Sequence, residues 1–91
     1  MKVIVTPVAQ ADLRRLGQFL VAKSPRAARR AVNLIEEALI SLQEMPDRTP
    51  IREDGIRELM VRFGAGGYVA RYRVMADHVI VLRIFHMRED R

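Results

Sequence analysis

Tyr68-Val-Ala-Arg-Tyr-Arg-Val-Met-Ala-Asp-His-Val-Ile-Val-Leu-Arg-Ile-Phe-His86-Met-Arg88 sets two runs of β-branched and aromatic residues on either side of the polar Asp77-His78 pair that follows Ala76. β-Branched and aromatic side chains fit a pleated surface and short polar residues turn the chain, so the pattern predicts a hairpin of two long strands. Period-two alternation then assigns the faces. With Ala70, Tyr72, Val74, Ile80, Leu82 and Ile84 turned toward a core, Arg71, Arg73 and Arg83 fall on the opposite face beside Val69, Val81 and Phe85. A face that mixes arginine with apolar groups is expected to be covered.

Working upstream, Gly64-Ala-Gly-Gly67 reads as a turn, and residues 56–63 as another strand with Leu59, Val61 and Phe63 on one face and Glu58, Met60 and Arg62 on the other. Residues 47–55, with Pro50 and Gly55, form a loop by composition. Before it lie two helical patterns, each opened by a hydroxyl residue followed by proline: Thr6-Pro7 and Ser24-Pro25. The first helix buries Ala9, Leu13, Leu16 and Leu20, with Phe19 widening the stripe. The second carries Ala28, Ala31, Ile35, Ala38, Leu42 and Met45, flanked by Val32, Leu34 and Leu39, and closes at Pro46. So short a connection makes the two helices an antiparallel hairpin. Residues 2–6 read as a first short strand. The order β-α-α-β-β-β predicts an α+β fold, one domain over residues 1–91, with the helix pair packed on one face of a mainly antiparallel sheet. Met60, Arg62, Val69, Arg71, Arg73, Val81, Arg83 and Phe85 share the other face on this reading.

Composition bounds the function. A chain of 91 residues that is 49% hydrophobic and 30% charged is an ordinary folded domain. It contains no cysteine, which excludes disulfides and thiolate metal sites. No apolar run approaches a bilayer span, so the expected location is the cytoplasm, with no membrane partner. Sixteen basic against eleven acidic residues leave a net charge of +5, almost all the positive charge being arginine, and the surplus predicts an acidic partner. Arg26, Arg29 and Arg30 crowd the start of the second helix, opposed to its dipole. Either they form a solvated turn or they meet an acidic segment of a partner.

Chemistry is sparsely represented. No glycine-rich loop leads from a strand into a helix, so no nucleotide cradle is expected. His78 and His86 are the only histidines and lack metal-ligand spacing, so neither a metal nor a cofactor is expected. Ser24 is spent as a cap and Ser41 lies within a helix, which argues against a serine nucleophile. Any catalytic group would have to be His86 among arginines, the histidine moving a proton and the guanidiniums holding a phosphodiester. A free-standing nucleic-acid binder is suggested by charge alone, and no stacking platform supports it.

Several segments together resemble the ParE branch of the RelE/ParE toxin superfamily: Ala9-Gln-Ala-Asp12-Leu13, Pro25-Arg-Ala-Ala28, Leu42-x-x-x-Pro46, Ile56-Arg57-Glu58-Leu59, Tyr68-Val-Ala-Arg-Tyr72-Arg73-Val74 and Val81-Leu-Arg-Ile-Phe-His86-Met-Arg88-Glu-Asp90. The resemblance spans essentially the whole chain and implies the same β-α-α-β-β-β layout. It implies the toxin of a type II toxin–antitoxin system, of the kind tied to plasmid stabilization and growth arrest, neutralised by a cognate antitoxin whose extended tail wraps the toxin. On that reading Leu16, Phe19, Leu20, Arg26, Arg29, Arg30 and Leu34 bind antitoxin on the helices, and the margins near Phe19, Leu34 and Leu39 are covered in the complex.

The superfamily divides between two activities. RelE-like members cut messenger RNA on the ribosome, and use an arginine directly after the aromatic that opens the strand at Tyr68, a basic group near Arg88 and a late aromatic acid. Here Val69 follows Tyr68 and no aromatic follows Phe85, so the nuclease set would fall back on Arg73, His86 and Arg88. ParE-like members bind DNA gyrase without chemistry of their own, and the His86-x-Arg88-x-Asp90 ending is similar to theirs. The expectation is a non-enzymatic gyrase inhibitor without sequence-specific nucleic-acid binding of its own. Its target- or antitoxin-binding surface is Arg62, Arg71, Arg73 and Arg83, with His86 and Arg88 at the end of the sheet. The alternative is a ribosome-dependent mRNA interferase.

Overall fold

A computed structural model describes residues 1–89. Asp90, part of the ending discussed above, lies outside the described residues. The elements are β1 (Lys2–Val5), α1 (Pro7–Val21), α2 (Pro25–Ser41), β2 (Arg57–Phe63), β3 (Gly66–Val74) and β4 (His78–His86). The four strands form one mixed sheet in the order β1-β4-β3-β2, β1 parallel to β4 and the other pairs antiparallel. The predicted layout is therefore present.

Local chemistry explains the helix starts. Thr6 Oγ1 accepts the Ala9 N–H at 3.1 Å and Ser24 Oγ accepts the Ala27 N–H at 3.2 Å, with proline at the start of each helix where its missing donor is not needed. The end of α2 departs from the expectation. Beyond Leu39 the chain tightens to bonds spanning three residues, Leu42 N–H to Leu39 O and Gln43 N–H to Ile40 O, while the Ser41 hydroxyl donates back to Ala38 O at 2.6 Å. The wheel rotates there, and Met45 ends 53% exposed rather than on the buried stripe.

The core lies between the helix pair and the inner face of the sheet. Ala9, Leu16, Ala31, Ile35, Leu39 and Leu42 meet Leu59, Val61, Tyr68, Ala70, Tyr72, Val79, Val81 and Ile84. The phase of β4 corrects the sequence reading. Arg71 pairs with Arg83 but Tyr72 pairs with Val81, so Leu82 is an extra residue, a β-bulge. Before the bulge Val79 and Val81 point inward; after it Ile84 does. Ile80 and Leu82, expected inside, are half-buried, and Val81, expected on the far face, is fully buried in the core.

Past Val81, β4 has no β1 residue beside it. Side chains take over its edge: Asp12 Oδ2 accepts the Ile84 N–H at 2.9 Å, Glu89 Oε1 accepts the His86 N–H at 2.9 Å, and the Thr6 hydroxyl donates to Leu82 O at 3.3 Å. Satisfied in this way, the edge offers no template for another strand. Among the described residues no helix is long and apolar enough to cross a membrane.

Candidate functional site

The far face of the sheet is ordered by its cross-strand pairs. One row runs Glu58, Arg71, Arg83 and the next runs Met60, Val69, Phe85. Val69 is fully buried and Phe85 is 5% exposed although neither belongs to the core under the helices. The arginines themselves help cover this face. The guanidiniums of Arg71 and Arg83 each lie 5.0 Å from the centroid of the Phe85 ring, a double cation–π arrangement. Arg71 Nε donates to Glu58 Oε2 at 2.8 Å, and Arg52 shares the same carboxylate at 3.2 Å. Arg83 reaches around the β4 edge to Asp12, Nε to Oδ2 at 2.8 Å and Nη2 to Oδ1 at 3.1 Å.

Asp12 is the buried charged residue of α1. Burial opposes its ionisation, but the Arg83 hydrogen bond, the Ile84 amide and the adjacent guanidinium charges outweigh burial and hold the carboxyl below its ordinary range. Arg83 is raised in turn by Asp12. Arg62 and Arg73 differ from this pair. Both are exposed; Arg73 donates to Asp54 O at 3.1 Å, and Arg62 has no ion-pair partner among the described residues.

His86 and Arg88 belong to a different surface. His86 follows Phe85 and so turns to the helix side, where it meets Tyr68 edge-on at 5.4 Å between ring centroids. It lines a groove of about 670 Å³ between α1 and the end of the sheet, with Leu16, Phe19, Leu20, Phe63 and Arg88. Phe19 is 61% exposed there, with the Lys23 ammonium 4.6 Å from its ring centroid. Tyr68 sits at the floor, its phenol pKa pushed up by burial. Glu89 closes one end. Burial opposes its charge, but the His86 amide and Arg15 prevail and lower its pKa. The Arg88 N–H donates to His86 Nδ1 at 3.1 Å, so the neutral imidazole carries its proton on Nε2.

The residues expected to form one surface are thus divided. Arg62, Arg71, Arg73 and Arg83 share the far face; His86 and Arg88 stand on the groove side. The set Arg73, His86 and Arg88 is not assembled: His86 pairs with Tyr68, and Arg73 lies five residues further along β3, roughly 16 Å away at the rise of a strand. On the helices, Phe19 and Leu34 are exposed, Arg26, Arg29 and Arg30 are exposed, and Arg30 stacks on Phe63 at 5.8 Å. Leu16 and Leu39 are buried and Leu20 is half-buried, so of the three margins expected to need covering, Leu39 is already covered within the domain. Sequence reasoning overlooked the acids Asp12, Glu58 and Glu89 that organise the arginines. For Asp12 a signal existed, since it stands three residues after Ala9 and four before Leu16, on the buried stripe of α1. Among the described residues no cluster of histidine and acid side chains could hold a metal ion.

A helical hairpin on one face of a β1-β4-β3-β2 sheet, with an arginine-rich opposite face, is the architecture of a small bacterial toxin. The family model described as the ParE toxin of the type II toxin–antitoxin system parDE matches residues 3–91, and the chain belongs to that family. It is 43% identical over 89 residues to Toxin RelE1 of Caulobacter vibrioides, covering 98% of this chain and 96% of that protein. Toxin RelE3 of the same organism is 41% identical over 85 residues, covering 93% and 92% of the two chains. Among solved structures, a chain of the chromosomal ParDE toxin–antitoxin system from P. aeruginosa superposes with a TM-score of 0.81 at 28% identity, covering 94% of this chain and 95% of that one.

Proposed function

We propose that this toxin arrests a type II topoisomerase, DNA gyrase, by binding it in the cytoplasm, without chemistry of its own, and that a cognate antitoxin neutralises it. The observation that carries the proposal is the state of the groups among the described residues that are suited to cut RNA. His86 Nδ1, which a general base would use, already accepts the Arg88 amide N–H, and Arg73 is too distant to stabilise charge at the same phosphodiester. Binding needs no such assembly. Exposed Arg62 and Arg73 offer cations to an acidic surface, on a face held in shape by Arg71, Arg83 and Phe85. The antitoxin reading draws on the ParDE pair of the structural relative, and on the apolar groove beside Phe19 with basic side chains at its rim.

The RelE names of the Caulobacter relatives favour a second reading, a ribosome-dependent mRNA interferase using His86 and the exposed Arg88. One pair of assays separates the two. Purified toxin is expected to block gyrase supercoiling, with relief on adding antitoxin, and to leave messages intact on ribosomes. Undiminished supercoiling together with shortened messages would reverse the assignment.

A further inference from the structure

Strand β2 has a neighbour on one side only, β3, and its other side is an edge of the sheet. The two-residue turn Gly64-Ala65 joins Phe63 to Gly66, which pair directly. In such a hairpin the closing pair exchanges hydrogen bonds, and N–H and C=O groups then alternate in direction along the strand. Phe63, Val61 and Leu59 therefore face β3, while Arg62, Met60 and Glu58 turn their backbone groups to the outer side. Met60 is 50% exposed, and neither it nor Arg62 takes part in a backbone hydrogen bond to a loop or cap among the described residues. The β4 edge is closed by Asp12, Glu89 and Thr6; among the described residues the β2 edge has no comparable device at Met60 and Arg62.

We propose that a second copy of this chain pairs with this edge, β2 antiparallel to β2 about a two-fold axis through Met60, making one continuous sheet across the dimer. The register follows from charge. Centring on Met60 sets Glu58 opposite the second copy's Arg62 on the far face, Leu59 opposite Val61 on the core side, and Arg57 opposite Phe63. Backbone direction agrees, since Met60, Glu58 and Arg62 all point outward and can exchange hydrogen bonds with the other copy. Centring on Arg62 or Glu58 would instead set like charges face to face, which disfavours those registers. Arg62, which like Arg73 has no ion-pair partner among the described residues, gains an acid in this arrangement, and Glu58, already held by Arg71 and Arg52, shares its carboxylate with a further cation. An isologous contact of this kind closes on itself and does not propagate.

The test uses the full-length chain purified free of antitoxin. Sedimentation equilibrium across a range of concentrations is expected to show twice the monomer mass for the wild type. Arg62→Glu, which sets acids opposite each other, is expected to give monomers, as is Glu58→Arg, and an equimolar mixture of the two variants is expected to restore the dimer mass. Met60→Pro supplies a second route, because it removes one outward N–H and no bond to β3. Circular dichroism confirms that each variant is folded. A wild type that stays monomeric, or a dimer that Arg62→Glu and Met60→Pro leave intact, would overturn the proposal. So would slowed exchange of the Met60 and Arg62 amides only when antitoxin is added, since the edge would then belong to the antitoxin.

Discussion

Replacing Asp12 with alanine removes a buried carboxylate that ties α1 to β4. Three effects combine. The Ile84 N–H, bonded to Asp12 Oδ2 at 2.9 Å, is left buried without a partner, which costs about 1–3 kcal/mol. The Arg83 ion pair is lost, but that side chain is 45% exposed, so screening limits the contribution to about 0.2–1 kcal/mol. Alanine is the better helix former and returns about 0.5 kcal/mol. The net expectation is a loss of about 2 kcal/mol, or a fall of about 10 °C in Tm for a domain this small. Asp12→Asn provides the control, because its amide oxygen can still accept the Ile84 N–H; it should lose about 1 kcal/mol, half as much. Urea unfolding at neutral pH measures both through the shift in midpoint at constant slope. If alanine and asparagine were equally destabilising, or alanine were within about 0.5 kcal/mol of wild type, the Ile84 amide would not depend on this carboxylate and the account of the β4 edge would fail.

Other outcomes follow from the same contacts. Asp12 and Glu89 both have lowered pKa values in the folded state, so the stability they supply is full above their ordinary values and is lost as pH falls through the folded ones. Acid unfolding followed by circular dichroism should therefore steepen below about pH 4, and Asp12→Asn should flatten that limb. Arg71→Glu would set a carboxylate beside Glu58 and remove half of the Phe85 sandwich, so it should destabilise by about 2 kcal/mol, whereas exposed Arg73→Glu should change urea stability by less than about 0.5 kcal/mol. Only the Arg73 change is therefore a clean probe of toxicity: growth arrest should weaken in a fully folded variant. Phe85→Ala should lose about 3 kcal/mol despite lying outside the core under the helices, read by thermal unfolding. Phe19→Asp, at a side chain 61% exposed, should leave unfolding unchanged and weaken antitoxin binding in calorimetry at least tenfold.

Much of the fold could be read directly from local chemistry. Thr6 and Ser24 announce the helix starts because a hydroxyl before proline has one obvious use there, and the observed caps are those two oxygens. The inward faces of β2 and β3 follow from uninterrupted alternation of Leu59, Val61, Phe63 and of Ala70, Tyr72, Val74. The arginines at 62, 71 and 73 share a face for the same reason. Periodicity failed in β4, where the bulge at Leu82 reverses the phase, because a bulge is settled by what the strand must pair with and not by its own residues.

The candidate site shows the same division. That arginine would be abundant on one sheet face was visible in the sequence; what each guanidinium meets was not. Arg83 is paired with Asp12, 71 residues earlier, and His86 is placed in the groove with Phe19 and Tyr68, apart from the arginine face it had been grouped with. By itself the sequence determined the order of elements, the caps, and the faces of the strands that keep strict alternation, since those depend on neighbours within a few residues. Tertiary structure alone decided the phase of β4, the acids that hold Arg71 and Arg83, and the separation of His86 from Arg73. Those depend on distant segments meeting, and no local spacing encodes a contact between residues that far apart in the chain.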